Sequence, residues 1–284
     1  MRYLMFSKHL QNMDVAGAGR AIKTLGFDGV ELTVRPGGHV EPERVAEDLP
    51  RAVAVLKEIG LDVPAIVTDI QGKDAPFSHD VCAAAAQVGA THLRNGAWPY
   101  RPFGQIREQV AAATQNAREL EDLGREYGLR FCVHCHSGST LTAHGALLAQ
   151  IIADTDPRYV ATSFDLGHLT VEGGNGGWIQ SIDLLQDRIG IVAVKSFGWF
   201  AEPDPQGAGT RWIPRLVPLA EGAVQWARAF TLLRQVGWDS DSRALVSVHS
   251  EYQGRGSWRS LAVPDLLAQT GDDLAFLRRQ AASQ

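Results

Sequence analysis

No block of lysine and arginine runs along this chain, and its formal net charge is −5. Phosphate backbones are held by clustered cations, so no nucleic-acid partner is expected. No stretch approaches the roughly 18 apolar residues of a membrane span, so no membrane partner is expected either. The apolar run at 3–6 is too short for the core of a secretory signal, and the expectation is a cytoplasmic protein. Cysteine is scarce, and an odd count of 3 does not suggest a disulfide framework. Phosphate-cradling and dinucleotide-binding glycine motifs are missing after the candidate strands, as is the G-x-S-x-G elbow of a serine hydrolase. No nucleotide cofactor is therefore expected. Gly173-Gly174-Asn175-Gly176-Gly177 lacks such a context and is expected to be a flexible loop. Cys132-Val133-His134-Cys135-His136 has the spacing of a haem attachment site. It reads instead as a buried strand whose cysteines face opposite sides, so neither haem nor redox chemistry is expected there.

What is present is alternation. Short apolar runs predict strands at 3–7, 28–33, 63–68, 91–95, 129–135, 159–165, 189–195 and 243–249. Amphipathic runs predict helices near 14–25, 43–59, 78–88, 105–127, 141–153, 178–187, 223–236 and 264–280. Gly26, Gly60, Gly89, Gly128 and Gly237 stand between helix and strand, where a left-handed residue ends a helix. Eight strand–helix pairs in 284 residues predict a single α/β domain folded as a (β/α)8 TIM barrel. The segment 196–222 holds several Pro and Gly with Trp199 and Trp212, and is expected to be a lid-like loop over the barrel mouth.

In a closed barrel of this kind, polar residues at the C-terminal strand ends converge on one mouth. The chain supplies His9, Glu31, Arg35, His39, Arg94, His168 and Trp199 as candidate substrate-binding groups, and Glu251, Lys195 and His136 as candidate acids or bases. His134 and His136 lie two apart on one strand and so share a face. With Asp165 and His249 they offer one oxygen and two or three imidazoles, a set suited to a borderline divalent ion such as Mn, Zn, Co or Ni. The expected metal ligands are His134, Asp165 and His249, with His136 or Glu251 as a fourth group. The Lys195 ammonium, aimed at the same point, would oppose a cation.

Phe27-Asp28-Gly29-Val30-Glu31-Leu32, His136-Ser137-Gly138, Phe164-Asp165-Leu166-Gly167-His168, Val194-Lys195 and Val246-Ser247-Val248-His249 carry a resemblance. The chain resembles the sugar phosphate isomerase/epimerase superfamily of xylose-isomerase-like barrels. A narrower subgroup shares the stretch 32–40, the turn Val217-Pro218-Leu219 and the ending His249-x-Glu251-Tyr252. The resemblance implies one divalent metal held by Glu, Asp, His and Glu from strands five to eight. Those positions are occupied by His134, Asp165, Ala193 and His249, so one ligand type is kept, two are exchanged and one is lost. The family's paired proton-transfer glutamates are absent.

The resemblance implies a metal-assisted isomerase or epimerase that abstracts a proton next to the carbonyl of a sugar or keto-sugar. The missing glutamates bring in a sugar lyase or dehydratase as an alternative, and Lys195 a metal-free sugar-binding barrel. Endonuclease-like DNA repair is disfavoured by the acidic charge and the few carboxylate ligands. Homo-oligomerisation is left open.

Overall fold

In a computed structural model, which describes residues 1–207, 209–240 and 244–282, eight parallel strands close on themselves. They are β1 (Arg2–Phe6), β2 (Gly29–Thr33), β3 (Asp62–Val67), β4 (His92–Arg94), β5 (Arg130–His134), β6 (Val160–Asp165), β7 (Ile189–Val194) and β10 (Leu245–Val248). The barrel order is β1-β10-β7-β6-β5-β4-β3-β2, so the first and last strands pair and no edge is left open. Arg243, the first residue of the strand expected at 243–249, lies outside the described residues. The surrounding helices are α1 (Val15–Thr24), α2 (Val45–Glu58), α3 (Ser78–Val88), α4 (Ile106–Tyr127), α5 (Gly145–Ile151), α6 (Leu166–Leu185), α7 (Trp226–Gln235) and α8 (Val263–Ala282). Among the described residues, no helix is long and apolar enough to cross a membrane.

Side-chain alternation sorts each strand into two cores. Outward residues such as Met5, Val30, Ile66, Phe131 and Val192 pack against the helices. Leu4, Ala65, Cys132, Ala161, Ile191 and Leu245 form a separate apolar cluster inside the barrel. Cys132 thus points inward while Cys135 joins the outer core, as strand parity requires. Burial pushes both thiols up to about 12, so they are inert packing groups. Two and four residues beyond this inner plug, the same parity delivers Phe6, His134, Asp165, Lys195 and His249 to the C-terminal mouth.

Two expectations are corrected. The helix after β6 begins at Leu166, not near 178, and runs through the glycine stretch with a break at Gly174. Its early start has a local cause, because the Asp165 side chain accepts from the His168 backbone N–H at 3.1 Å and caps the first turn. The segment expected to be a lid-like loop is largely an antiparallel hairpin of β8 (Ser196–Pro203) and β9 (Thr210–Val217); Ala208, in its turn, lies outside the described residues. Two alternating runs around Pro203, Pro205, Gly207 and Gly209 were the available hairpin signal. Trp199 and Trp212 are 46% and 63% exposed on this hairpin.

Asp273 of α8 fastens the foot of the hairpin to the barrel. Its carboxylate accepts from the Leu219 N–H at 3.0 Å and Gln269 at 3.2 Å, and from the Tyr252 hydroxyl, all but Gln269 buried. Asp273→Ala leaves the buried Leu219 N–H without an acceptor and the Tyr252 hydroxyl with only the Val217 carbonyl at 3.4 Å, at about 1–3 kcal/mol for each weakened group. We expect a loss of about 2–4 kcal/mol, visible as a thermal midpoint lowered by roughly 5–15 °C. A shift under about 2 °C would show that water satisfies those donors instead.

Candidate active site

Asp165 anchors the site because its two oxygens do different work. Oδ1 caps α6, while Oδ2 faces the barrel axis, 3.1 Å from His134 Nε2 and 3.3 Å from Lys195 Nζ. Lys195, the residue after β7, is 2% exposed. Its ammonium also reaches His168 Nε2 at 3.0 Å and Glu251 Oε2 at 3.1 Å. Gly167 permits this approach, since a Cβ there would lie 2.6 Å from the Lys195 carbonyl oxygen and 2.8 Å from its Cγ. Burial alone would depress the Lys195 pKa, but Asp165 and Glu251 outweigh it and raise it, so the group stays charged. Against the same burial, Lys195 and Lys8 hold the Glu251 carboxyl well below the usual range. Lys8 Nζ sits 3.0 Å from Glu251 Oε1.

The histidines are neutral for the complementary reason. Burial and then nearby cations push His134 and His168 well below the ordinary imidazole value; burial and Lys195 lower His136. Their partners fix the tautomers. An ammonium can only donate, so His168 Nε2 accepts from Lys195 and its Nδ1–H donates to Ser137 Oγ at 2.8 Å. A carbonyl can only accept, so His136 donates Nδ1–H to the Ser137 oxygen at 2.8 Å and keeps its Nε2 lone pair. The His136 and His168 rings lie 3.9 Å apart.

Beneath the mouth, Glu31 is fully buried and held ionised at about 2, with Arg94, His249 and Ser247 prevailing over burial. It accepts from Ser247 Oγ at 2.7 Å and from His249 Nε2 at 3.2 Å, and lies 3.5 Å from Arg94 Nε. His249 Nδ1 is left as an acceptor, 4.0 Å from Asp165 Oδ2. Among the described residues, Glu31 Oε1, Arg94 Nε, Asn95 Oδ1, Ser163 Oγ and His249 Nδ1 are buried without a hydrogen-bond partner. Above them opens a cavity of about 210 Å³. Its lining includes His134, His136, Lys195 and Glu251 from β5 onward, and Phe6, Arg35, Arg94 and Asn95 from β1 to β4.

The candidates thus divide. Arg35, Arg94, His134, His136, Lys195 and Glu251 border the cavity. Glu31, Asp165, His168 and His249 stand behind them. His9 bonds Gln253 at 2.9 Å. His39 donates to the Leu10 carbonyl at 3.2 Å and meets Thr33, away from the cavity. Trp199 faces outward from the hairpin rather than into the cavity. Phe6 was not singled out from the sequence, although strand parity would have found it; Ser137 and Ser247 entered only within the motifs that carry the resemblance.

The ligating atoms of His134, Asp165 and His168 all lie within 4.8 Å of one another, a group that could hold a metal ion. The compact trio takes in His168 where His249 was expected. In the arrangement described, however, the ammonium of Lys195 already stands at hydrogen-bond distance from two of the three. The residues therefore fit a dication only if Lys195 leaves.

A closed parallel barrel with its polar cluster at the C-terminal mouth is the architecture of a TIM-barrel enzyme scaffold. This chain belongs to the xylose isomerase-like TIM barrel family, whose model matches residues 20–280. Among curated proteins, no sequence matches it. Solved structures do. The 3-keto-D-glucoside 4-epimerase of E. coli is 18% identical, with a TM-score of 0.69 over 98% of this chain and 99% of that one. The D-allulose 3-epimerase of Methylomonas sp. in complex with D-allulose is 16% identical, with a TM-score of 0.72 over 99% and 97%. A xylose isomerase-like TIM barrel protein of Mycobacterium smegmatis in complex with magnesium is also 16% identical, with a TM-score of 0.71 over 99% and 97%. At these identities the likeness is one of fold.

Two unit charges about 4 Å apart repel by about 4 kcal/mol at an effective dielectric of about 20. Lys195→Met should therefore tighten Co2+ binding at least tenfold over the wild type, read from the visible absorption of the ion. Equal affinities would show that the ammonium does not guard the site.

Proposed function

We propose that the protein is an isomerase or epimerase of a sugar or keto-sugar, working by proton transfer at the carbon next to the carbonyl. The observation that carries this reading is the pairing, on one cavity wall, of a neutral imidazole with a buried cation. His136 presents a free Nε2 lone pair to the cavity and serves as the base. Lys195 provides a fixed positive charge for the oxygen that becomes negative as the proton leaves. His136 then returns the proton to the neighbouring carbon on the same face, which is isomerisation, or to the original carbon after the enediolate has turned its other face to the same imidazole, which is epimerisation. Glu251, held between two ammoniums, is a weak base and positions Lys195. Family membership and the sugar epimerases among the structural neighbours support the substrate class.

A second reading, in which a divalent ion (Mn, Zn, Co or Ni) supplies the charge, is favoured by the orphaned Nδ1 of His249. It would use His134, Asp165 and His249 or His168, with Lys195 withdrawn. Metal analysis of purified, tag-free protein separates the two: a stoichiometric ion supports the second, none the first.

The reaction is tested by incubating keto-sugars with the protein in D2O and following the C–H signals beside the carbonyl. We expect enzyme-dependent deuterium uptake at one carbon, reduced about 10²–10⁴-fold by His136→Gln. Elimination products would redirect the reading to a lyase. Tight binding with no exchange and no product would sink the enzymatic reading and leave a sugar-binding barrel.

A further inference from the structure

The part of the cavity built from β1 to β4 differs from the part that carries His136 and Lys195, and proton transfer does not use it. Four cations, Lys8, Arg35, Arg94 and Lys195, line the cavity against two carboxylates, Asp69 and Glu251. Lys195 and Lys8 are matched by Glu251, and Lys195 by Asp165 as well. What remains is a pair of guanidiniums, both leaning on the ring of Phe6, with Asp69 on the cavity lining near Arg35 and Glu31 beneath Arg94. Arg94 Cζ lies 4.3 Å from the ring centroid and Arg35 Cζ 6.0 Å.

Neither guanidinium is fully answered by the protein. The Arg94 side chain is 5% exposed, its Nε has no hydrogen-bond partner, and its one carboxylate, Glu31, stands 3.5 Å away while serving Ser247 and His249. Among the described residues, Arg35 has no carboxylate oxygen within the 4.0 Å of an ion pair. Burial and the neighbouring Arg94 work against its charge and outweigh the support of Asp69, Glu251 and Glu31, which lie beyond ion-pair distance. A buried guanidinium and a half-buried one against the same ring raise the free energy of the empty pocket, and an anion between them would lower it. Asn95 Oδ1, also orphaned and buried beside Arg94, is an acceptor suited to a sugar hydroxyl.

We infer that the substrate is an acidic sugar whose oxyanion, a carboxylate or a phosphate, is held by Arg35 and Arg94 against the Phe6 ring. This rests on the proton-transfer reading of the same cavity and adds the substrate class. The stacked guanidiniums present planar N–H edges that match either oxyanion. The anionic end lies on the β1–β4 side, and the carbonyl end faces His136 and Lys195 on the β5–β10 side.

Three probes on one scaffold test this: D-fructose, D-fructuronate and D-fructose 6-phosphate, titrated calorimetrically into wild-type protein. At least one anionic probe should bind at least tenfold more tightly than D-fructose, and the tighter of the two identifies the oxyanion as carboxylate or phosphate. Arg35→Gln, at a partly exposed position, should reduce that ratio to below about threefold. Arg94→Lys keeps the charge but loses the fork, and should reduce it as well. A wild-type ratio near one, binding by none of the three, or a ratio indifferent to both substitutions would overturn the inference. The deuterium-exchange experiment fails separately. Exchange without anion preference removes the subsite and keeps the reaction, whereas anion preference without exchange keeps the subsite and removes the reaction.

Discussion

Lys195 carries its charge into a site with 2% exposure, and the groups around it are arranged to offset the cost of that burial. An unpaired buried ammonium would lose its proton, but Asp165 and Glu251 lie 3.3 and 3.1 Å away and keep it charged. That charge in turn sets the state of its neighbours. It helps hold His134, His136 and His168 neutral, and it keeps Glu251 ionised and unavailable as a strong base. It also stands where a divalent cation would compete for the same ligands. One side chain thereby decides which groups act as base, which provide positive charge, and which only position others.

The fold supplies this arrangement with simple devices. Strand parity brings every second residue inward, so the apolar plug at Leu4, Cys132 and Ile191 is followed by ionisable groups on the same strand faces. The plug keeps the lower barrel dry, and polarity is confined to the layers that open on the cavity. Asp165 then links the site to the helical layer, because the oxygen that caps α6 and the oxygen that faces Lys195 belong to one carboxylate. The cap places His168 in the first helical turn, directly over the ammonium. Gly167 leaves the space for that packing.

The cavity has two chemical halves, and they follow the order of the chain. Residues from β5 onward supply imidazoles, the ammonium and Glu251, with Lys195 bonded to His168 and Glu251, and His134 to Asp165. Residues from β1 to β4 supply Phe6, Arg35, Arg94 and Asn95, whose polar atoms are only partly satisfied within the protein. The bonds around Lys195 hold the ammonium still, and unsatisfied groups draw in a ligand. The hairpin β8–β9 adds no side chain to the cavity lining, and its exposed tryptophans have no role in the chemistry described.

Much of the architecture was legible in the sequence. Alternating strand and helix patterns predicted the closed barrel, because period-2 and period-3.6 patterns are local properties of the chain. The same parity showed that His134, Asp165, Lys195 and His249 point to one mouth. Other features were decided only by tertiary structure, since they depend on distances between strands far apart in sequence. Whether His168 or His249 joins the compact trio with Asp165 is set by where α6 begins, and so by a cap bond across three residues. Whether Lys195 is paired or free depends on Glu251, which reaches it only after β10 has closed the barrel beside β7. His39 was indistinguishable in sequence from a site histidine, and its bond to the Leu10 carbonyl follows from the fold of the loop around it. Local patterning could tell which way a side chain points, while barrel closure determined what it meets there.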